Sequence, residues 1–304
     1  MSKIIEVSGL QKSFGELRAV QGVDFYVEEG SLFAFLGPNG AGKSTTIDML
    51  TTQLKPDAGE ATISGYKLGR EDDGIRSSIG IVFQDSLLDP LLTVKENLFV
   101  RGSFYNLSRS ELKAAVARAA ATADVGDFLN RPYGKLSGGQ RRRADIARAL
   151  IHTPKVLFLD EPTTGLDPQT RKNVWTTIRQ LQKEQGMTIF LTTHYMEEAA
   201  QADYIIIMDH GKVLAGGTPY ELKERYATDL LKLMPHNAEE LQAYLQSKAL
   251  DYMIVSGVYH IPLKQTAHAL PIVEGCGANI AGIEIVSGTM DDVFLNLTGT
   301  EVRS

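Results

Sequence analysis

The sequence predicts an α/β chain: a mixed-sheet core with an antiparallel β portion and a helical insertion, followed by a small C-terminal α+β domain. Three observations carry this. Over the first two thirds, short apolar runs alternate with amphipathic stretches, which is the pattern of a largely parallel sheet. A Gly-rich loop from Gly37 to Ser44 joins one of those runs to a helical segment. From about Thr228 the pattern changes to strand, helix, strand, helix, strand, helix.

Taken in order, IIEVSGL, VDFYVEEG and ATISGYKL alternate like half-buried strands between Gly, Asp and Glu turns, and are expected to form the antiparallel portion. Residues 32–36, 79–83, 156–159, 189–193 and 204–208 are short apolar or β-branched runs and predict buried parallel strands. Residues 87–151 read as a helical insertion, with Ser108 and Glu111 spaced as a capping box before an Ala-rich stretch. The expected domains are residues 1–225 and 226–304, divided within GTPYELKERYATD. In the second domain AEELQAYLQSKAL, TAHALPIVEG and MDDVFLNLTG are the helices, and YMIVSGVYHIPL and NIAGIEIVSG are each read as one strand.

Composition bounds the function. The 304 residues, 43% of them hydrophobic, suffice for two packed domains at roughly 150 residues each. Lys plus Arg number 31 against 37 Asp plus Glu, a formal charge of -6, so no nucleic-acid partner is expected. No run approaches the ~18 apolar residues of a membrane span, and the N-terminus lacks the apolar stretch of a secretory signal. Any membrane role is therefore expected to come through a partner. The single cysteine, Cys276, cannot form an internal disulfide and fits a reducing cytosol.

Residues 32–36 run directly into Gly37-Pro38-Asn39-Gly40-Ala41-Gly42-Lys43-Ser44, followed by Thr45, with the spacing of a Walker A loop. Glycines allow the positive φ that turns successive NH groups inward around a phosphate, and the next helix offers its N-terminus to the same anion. Lys43 can then reach β- and γ-phosphates, and Ser44 can ligate Mg²⁺. The alternative is an incidental Gly-rich turn.

Asp160 and Glu161 close the run 156–159, where paired carboxylates are costly unless a cation or substrate uses them. Asp160 suits Mg²⁺, held through water, and Glu161 suits the water attacking the γ-phosphate; an exposed acidic turn is the other reading. His194 ends the run 189–193 and can bond a γ-phosphate, although a lone histidine can equally be structural. Gln84, after residues 79–83, can contact Mg²⁺ or the water. Arg141, Arg142 and Arg143 are read as a solvated or salt-bridged face, without a role.

Leu136-Ser137-Gly138-Gly139-Gln140 opens a helix whose stripe is Ala144, Ala147, Leu150 and Ile151. With the loop, the acidic pair and the histidine, the chain resembles the nucleotide-binding subunit of ABC transporters over residues 3 to about 225. The resemblance implies a P-loop NTPase fold of ABC type that hydrolyses ATP with Mg²⁺. It also implies a homodimer, with ATP between one Walker A loop and the partner's Ser137, Gly138, Gly139 and Gln140. Phe14 matches the aromatic that stacks on adenine, a core Phe being the alternative. Asp167 matches the loop facing the partner's Walker A, with Gly165 where Ala is frequent.

Among ABC proteins, a DNA-repair or chromosome ATPase should carry a long coiled coil or zinc motifs, and a ribosome-acting factor two nucleotide domains in one chain. Neither pattern occurs in this sequence. The segment TTHYMEEAAQADYIIIMDHGKVLAGGTPYELK and the terminal MDDVFLNLTG look like ATPase subunits of bacterial exporters of the daunorubicin-resistance type. That implies a cytoplasmic protein held at the inner face of the membrane by a separate permease. Sodium, lipid or polysaccharide exporters share these features, and an importer is a weaker alternative.

Overall fold

The chain opens with two twelve-residue strands, Lys3–Phe14 (β1) and Leu17–Glu28 (β2), in a computed structural model that describes residues 2–299. Leu32–Leu36 (β3) follows, then the Gly-rich loop, Lys43–Leu50 (α1), Ala58–Ile63 (β4), Tyr66–Lys67 (β5), Asp72–Ser78 (α2) and Ile79–Val82 (β6). Helices Val94–Gly102 (α3), Arg109–Thr122 (α4) and Gly138–Leu150 (α5) precede Val156–Asp160 (β7). The first part ends with Pro168–Gln185 (α6), Thr188–Thr193 (β8), Met196–Ala199 (α7), Tyr204–Asp209 (β9) and Lys212–Gly217 (β10).

Two sheets form this part, in the orders β2-β1-β4-β5 and β10-β9-β3-β8-β7-β6. The pairs β1/β2, β1/β4 and β4/β5 are antiparallel; β3/β8, β3/β9, β6/β7 and β7/β8 are parallel. All five residues of β3 and all six of β8 are buried, as continuous apolar strands covered on both faces require. Phe25 of β2 reaches across to Phe33, Phe35 and Phe190, with ring centroids 5.6, 5.2 and 6.1 Å away, so an aromatic cluster welds the two sheets together. Register then places the site. Leu36 pairs with Thr193, Asp160 with Thr192 and Val82 with Leu159, so the chain leaves β3, β6, β7 and β8 along one sheet edge.

The chain divides between Gly216 and Gly217 into two compact units. The charged stretch PYELKERY within the boundary segment forms a helix of the second unit, Pro219–Tyr226 (α8). Its Leu222 is fully buried, and Tyr226 O accepts from Asn296 Nδ2 at 2.7 Å in the closing helix Met290–Thr298.

Between these helices lie Asp229–Pro235 (β11), Ala238–Ser247 (α9), Met253–Val255 (β12), Val258–Leu263 (β13), Ala269–Cys276 (α10) and Ile280–Val286 (β14), the closing helix being α11. The sheet order is β12-β13-β11-β14, and Leu231, Leu233, Leu241, Leu245, Tyr259, Ile261 and Ile272 form its core. The single strand expected over residues 252–263 is a hairpin. Ser256 and Gly257 turn it with φ of 52° and 82°, a two-residue turn whose twist matches that of the strands.

Candidate functional site

A cleft of about 840 Å³ lies over the Gly-rich loop, lined among others by Phe14, Gly40, Lys43, Ser44, Gln84 and Glu161, with Asn39, Gly42, Thr45, Thr164 and His194. Gly37, Pro38 and Ala41 complete the loop, Ala41 N donating to Pro38 O at 3.2 Å. Its glycines are needed for close approach. A Cβ on Gly37 would stand 2.2 Å from Met208 O, and one on Gly42, at φ 100°, 2.3 Å from Ala19 O.

Lys43, at the start of α1, is buried and donates to Gly37 O at 2.8 Å and Pro38 O at 3.0 Å. Its Nζ lies 3.9 Å from Glu161 Oε1. Burial pulls the pKa of the ammonium below its ordinary value, against the opposing pull of Glu161 and Asp160. A desolvated cation at a helix N-terminus is an attractive seat for phosphate.

The acidic side is equally ordered. Thr192 Oγ1 donates to Asp160 Oδ1 at 2.5 Å, and Ser44 Oγ donates to the same oxygen at 3.3 Å. Thr164 Oγ1 donates to Glu161 Oε2 at 3.0 Å, and Glu161 N donates to Thr192 Oγ1 at 3.1 Å. His194 Nδ1 stands 3.3 Å from Glu161 Oε1, without the alignment of a hydrogen bond. Glu161 itself has φ 43°, a conformation that costs a non-glycine residue roughly 1–3 kcal/mol and persists only where the surroundings impose it.

Among the described residues no group of three or more His, Cys, Asp or Glu side chains is placed to hold a metal. Ser44, Asp160 and Gln84 instead present a sparse all-oxygen donor set. That set suits Mg²⁺, which keeps several waters and binds largely through substrate phosphates rather than a protein cage.

Phe14 sits at the rim, half exposed, with Lys12 Nζ 5.7 Å from its ring centroid; it is not a core residue. Ser137, Gly138, Gly139 and Gln140 do not line the cleft. They form the start of α5, where Ser137 Oγ accepts from Gln140 N at 3.4 Å and Ser137 N donates to Gln140 Oε1 at 3.1 Å. A Cβ on Gly139 would fall 2.4 Å from Thr170 Cγ2, so this cap is packed against α6. Asp167 caps α6 and accepts from Thr170 N at 3.1 Å; hydrogen bonding to Thr170 holds its carboxyl below the usual range.

One expectation is overturned. Arg142 is buried, not a solvated or salt-bridged residue, and it donates to the carbonyls of Pro162 at 2.7 Å, Asp160 at 2.8 Å and Phe83. Arg143 does pair with Asp124, at 2.6 Å. Successive helix positions diverge by about 100°, so one of three adjacent arginines can face inward. In the folded helix Arg142 stands three residues after Gly139 and four before Ile146, both buried, and shares their inward face.

Asp145 was also missed. It accepts from Ser86 Oγ at 2.6 Å and Tyr133 OH at 3.2 Å, tying α5 to the segment just after Gln84. Burial, with Asp145 beside it, pushes the Tyr133 phenol up to about 12, so Tyr133 remains a donor. Thr164 and Thr192 carried no sequence signal, being hydroxyls that only the fold brings to the carboxylates.

The ABC transporter family profile matches residues 20–164. The daunorubicin/doxorubicin resistance ATP-binding protein DrrA of Streptomyces peucetius is 39% identical, over 98% of this chain and 93% of that protein. The Nod factor export ATP-binding protein I of Rhizobium sp. (strain N33) is 38% identical over 100% of both. The linearmycin resistance ATP-binding protein LnrL of Bacillus subtilis (strain 168) is 34% identical, over 99% of this chain and all of that protein.

Among solved structures, cbiO1 from Clostridium perfringens, part of the ABC transporter complex cbiONQ, superimposes with a TM-score of 0.68 at 31% identity. The match covers 73% of this chain and 91% of that one. A dimeric ATP-binding cassette in a post-hydrolysis state, bound to ADP and Pi, gives 0.63 at 31% identity, covering 70% and 98%.

Proposed function

The chain belongs to the ATP-binding subunits of ABC transporters, and from that premise we propose that it drives export of a drug or antibiotic through a separate membrane permease. Support for the direction and the cargo class comes from the relatives named for daunorubicin, doxorubicin and linearmycin resistance. Among the described residues no helix is long and apolar enough to cross a membrane, consistent with a permease supplied in trans. The observation that carries the ATPase reading is the convergence of Lys43, Ser44, Gln84, Glu161 and His194 on one cleft.

In this reading Phe14 stacks on the adenine, the loop amides and Lys43 seat the phosphates, and Thr45 extends that cradle. Ser44, Gln84 and Asp160 would hold Mg²⁺, which when bound would neutralise phosphate charge. Glu161 takes the proton of the attacking water, and His194 holds the γ-phosphate edge against Glu161. Ser137, Gly138, Gly139 and Gln140, together with Asp167, face the nucleotide of a second copy, because they stand outside their own cleft.

Lys43→Ala tests the seat. Mg·ATP binding, read by fluorescent-nucleotide displacement on the purified chain, is expected to weaken strongly; unchanged affinity overturns the phosphate loop. A chain ended after Gly217 is expected to keep ATP binding, since every cleft residue precedes that point. Loss of binding in a folded truncation would give residues 218–304 a part in nucleotide chemistry.

A further inference from the structure

Arg142 uses all three guanidinium nitrogens on main-chain carbonyls: Nε on Pro162 at 2.7 Å, one Nη on Asp160 at 2.8 Å and the other on Phe83. Among the described residues no carboxylate accepts a hydrogen bond from it, although Asp145 and Asp160 lie near enough to act on its charge. The acceptors say what it serves. Asp160 and Pro162 are the residues on either side of Glu161, whose φ of 43° needs external support, and Phe83 directly precedes Gln84.

We propose that Arg142 is a positioning residue for ATP hydrolysis, a fork that fixes the peptide groups flanking Glu161 and ties them to the strand end bearing Gln84. A planar guanidinium holds three carbonyls at once in fixed, separated directions, a geometry the compact ammonium of lysine does not supply. Arg142 also lies on α5, the helix that begins at the Ser137 cap. The element offered to a partner's nucleotide is therefore bonded to the peptide groups on either side of the hydrolytic Glu161 of its own chain, so movement of α5 in one site is passed to the backbone that carries the base in the other. The proposal rests on Glu161 as the base.

The test is a cycle on the full chain with Mg·ATP, combining Arg142→Ala or Arg142→Lys with Glu161→Gln. Lysine keeps the charge but not the fork. Each arginine variant is expected to lower kcat by up to about 10²-fold with ATP affinity unchanged, as small misplacements of a reacting group do. In the Glu161→Gln background neither should cause further loss. Wild-type kcat in both arginine variants beside an impaired Glu161→Gln overturns the fork and leaves the base standing. A loss that multiplies fully with Glu161→Gln, a parallel loss of ATP affinity, or failure of both variants to fold also overturns it. Wild-type turnover of Glu161→Gln alone defeats the base reading, whatever the arginine variants do.

Discussion

Glu161→Gln is expected to cut ATP turnover by about 10²- to 10⁴-fold, the range a positioned general base contributes. Glutamine keeps the shape and can still accept from Thr164 Oγ1, which now reaches Glu161 Oε2 at 3.0 Å, so the loop should hold its form. What disappears is the proton acceptor and its negative charge, and with it the repulsion between Glu161 and a γ-phosphate. The variant should accumulate an ATP-bound dimer that the wild type forms only in passing, visible as a shift on size-exclusion chromatography with Mg·ATP. Wild-type turnover, or nucleotide binding without dimerisation, would move the water-positioning role to Gln84 or His194.

Ser137→Arg should abolish hydrolysis and leave ATP binding by the monomer intact. Ser137 makes no contribution to its own cleft, and the cap it gives α5 is worth typically ~1 kcal/mol, too little to unfold the chain. An arginine there places bulk and positive charge where a second copy's phosphates would approach, beside a helix end that already favours anions. Steady-state ATPase and nucleotide titration together read this outcome. Normal hydrolysis would mean that the start of α5 does not complete a partner's site.

Much of this site was legible from spacing. The loop Gly37 to Ser44, the carboxylates after residues 156–159 and His194 after β8 are positions where apolar strands end in chemistry, and parallel register carries them to one edge. Three features were not legible. Arg142 lay among three adjacent arginines, and choosing the inward one required knowing which face of α5 meets β6 and β7. Asp145 carries no mark in its local pattern, because the groups that satisfy it inside, Ser86 and Tyr133, come from outside α5. Leu222 lay in a stretch so charged that its burial against the second unit's own helices left no periodic mark. In each case a single residue's neighbours come from far along the chain, where local pattern carries no information.

The two carbonyl bonds of Lys43 have a bearing on how nucleotide enters. With its ammonium bonded to Gly37 and Pro38, the loop is cross-braced by its own cation. Arrival of a phosphate is therefore an exchange of acceptors around an existing scaffold, and little ordering remains to oppose association. The same two bonds set a threshold for any guest, which must accept hydrogen bonds from Lys43 better than a peptide oxygen does.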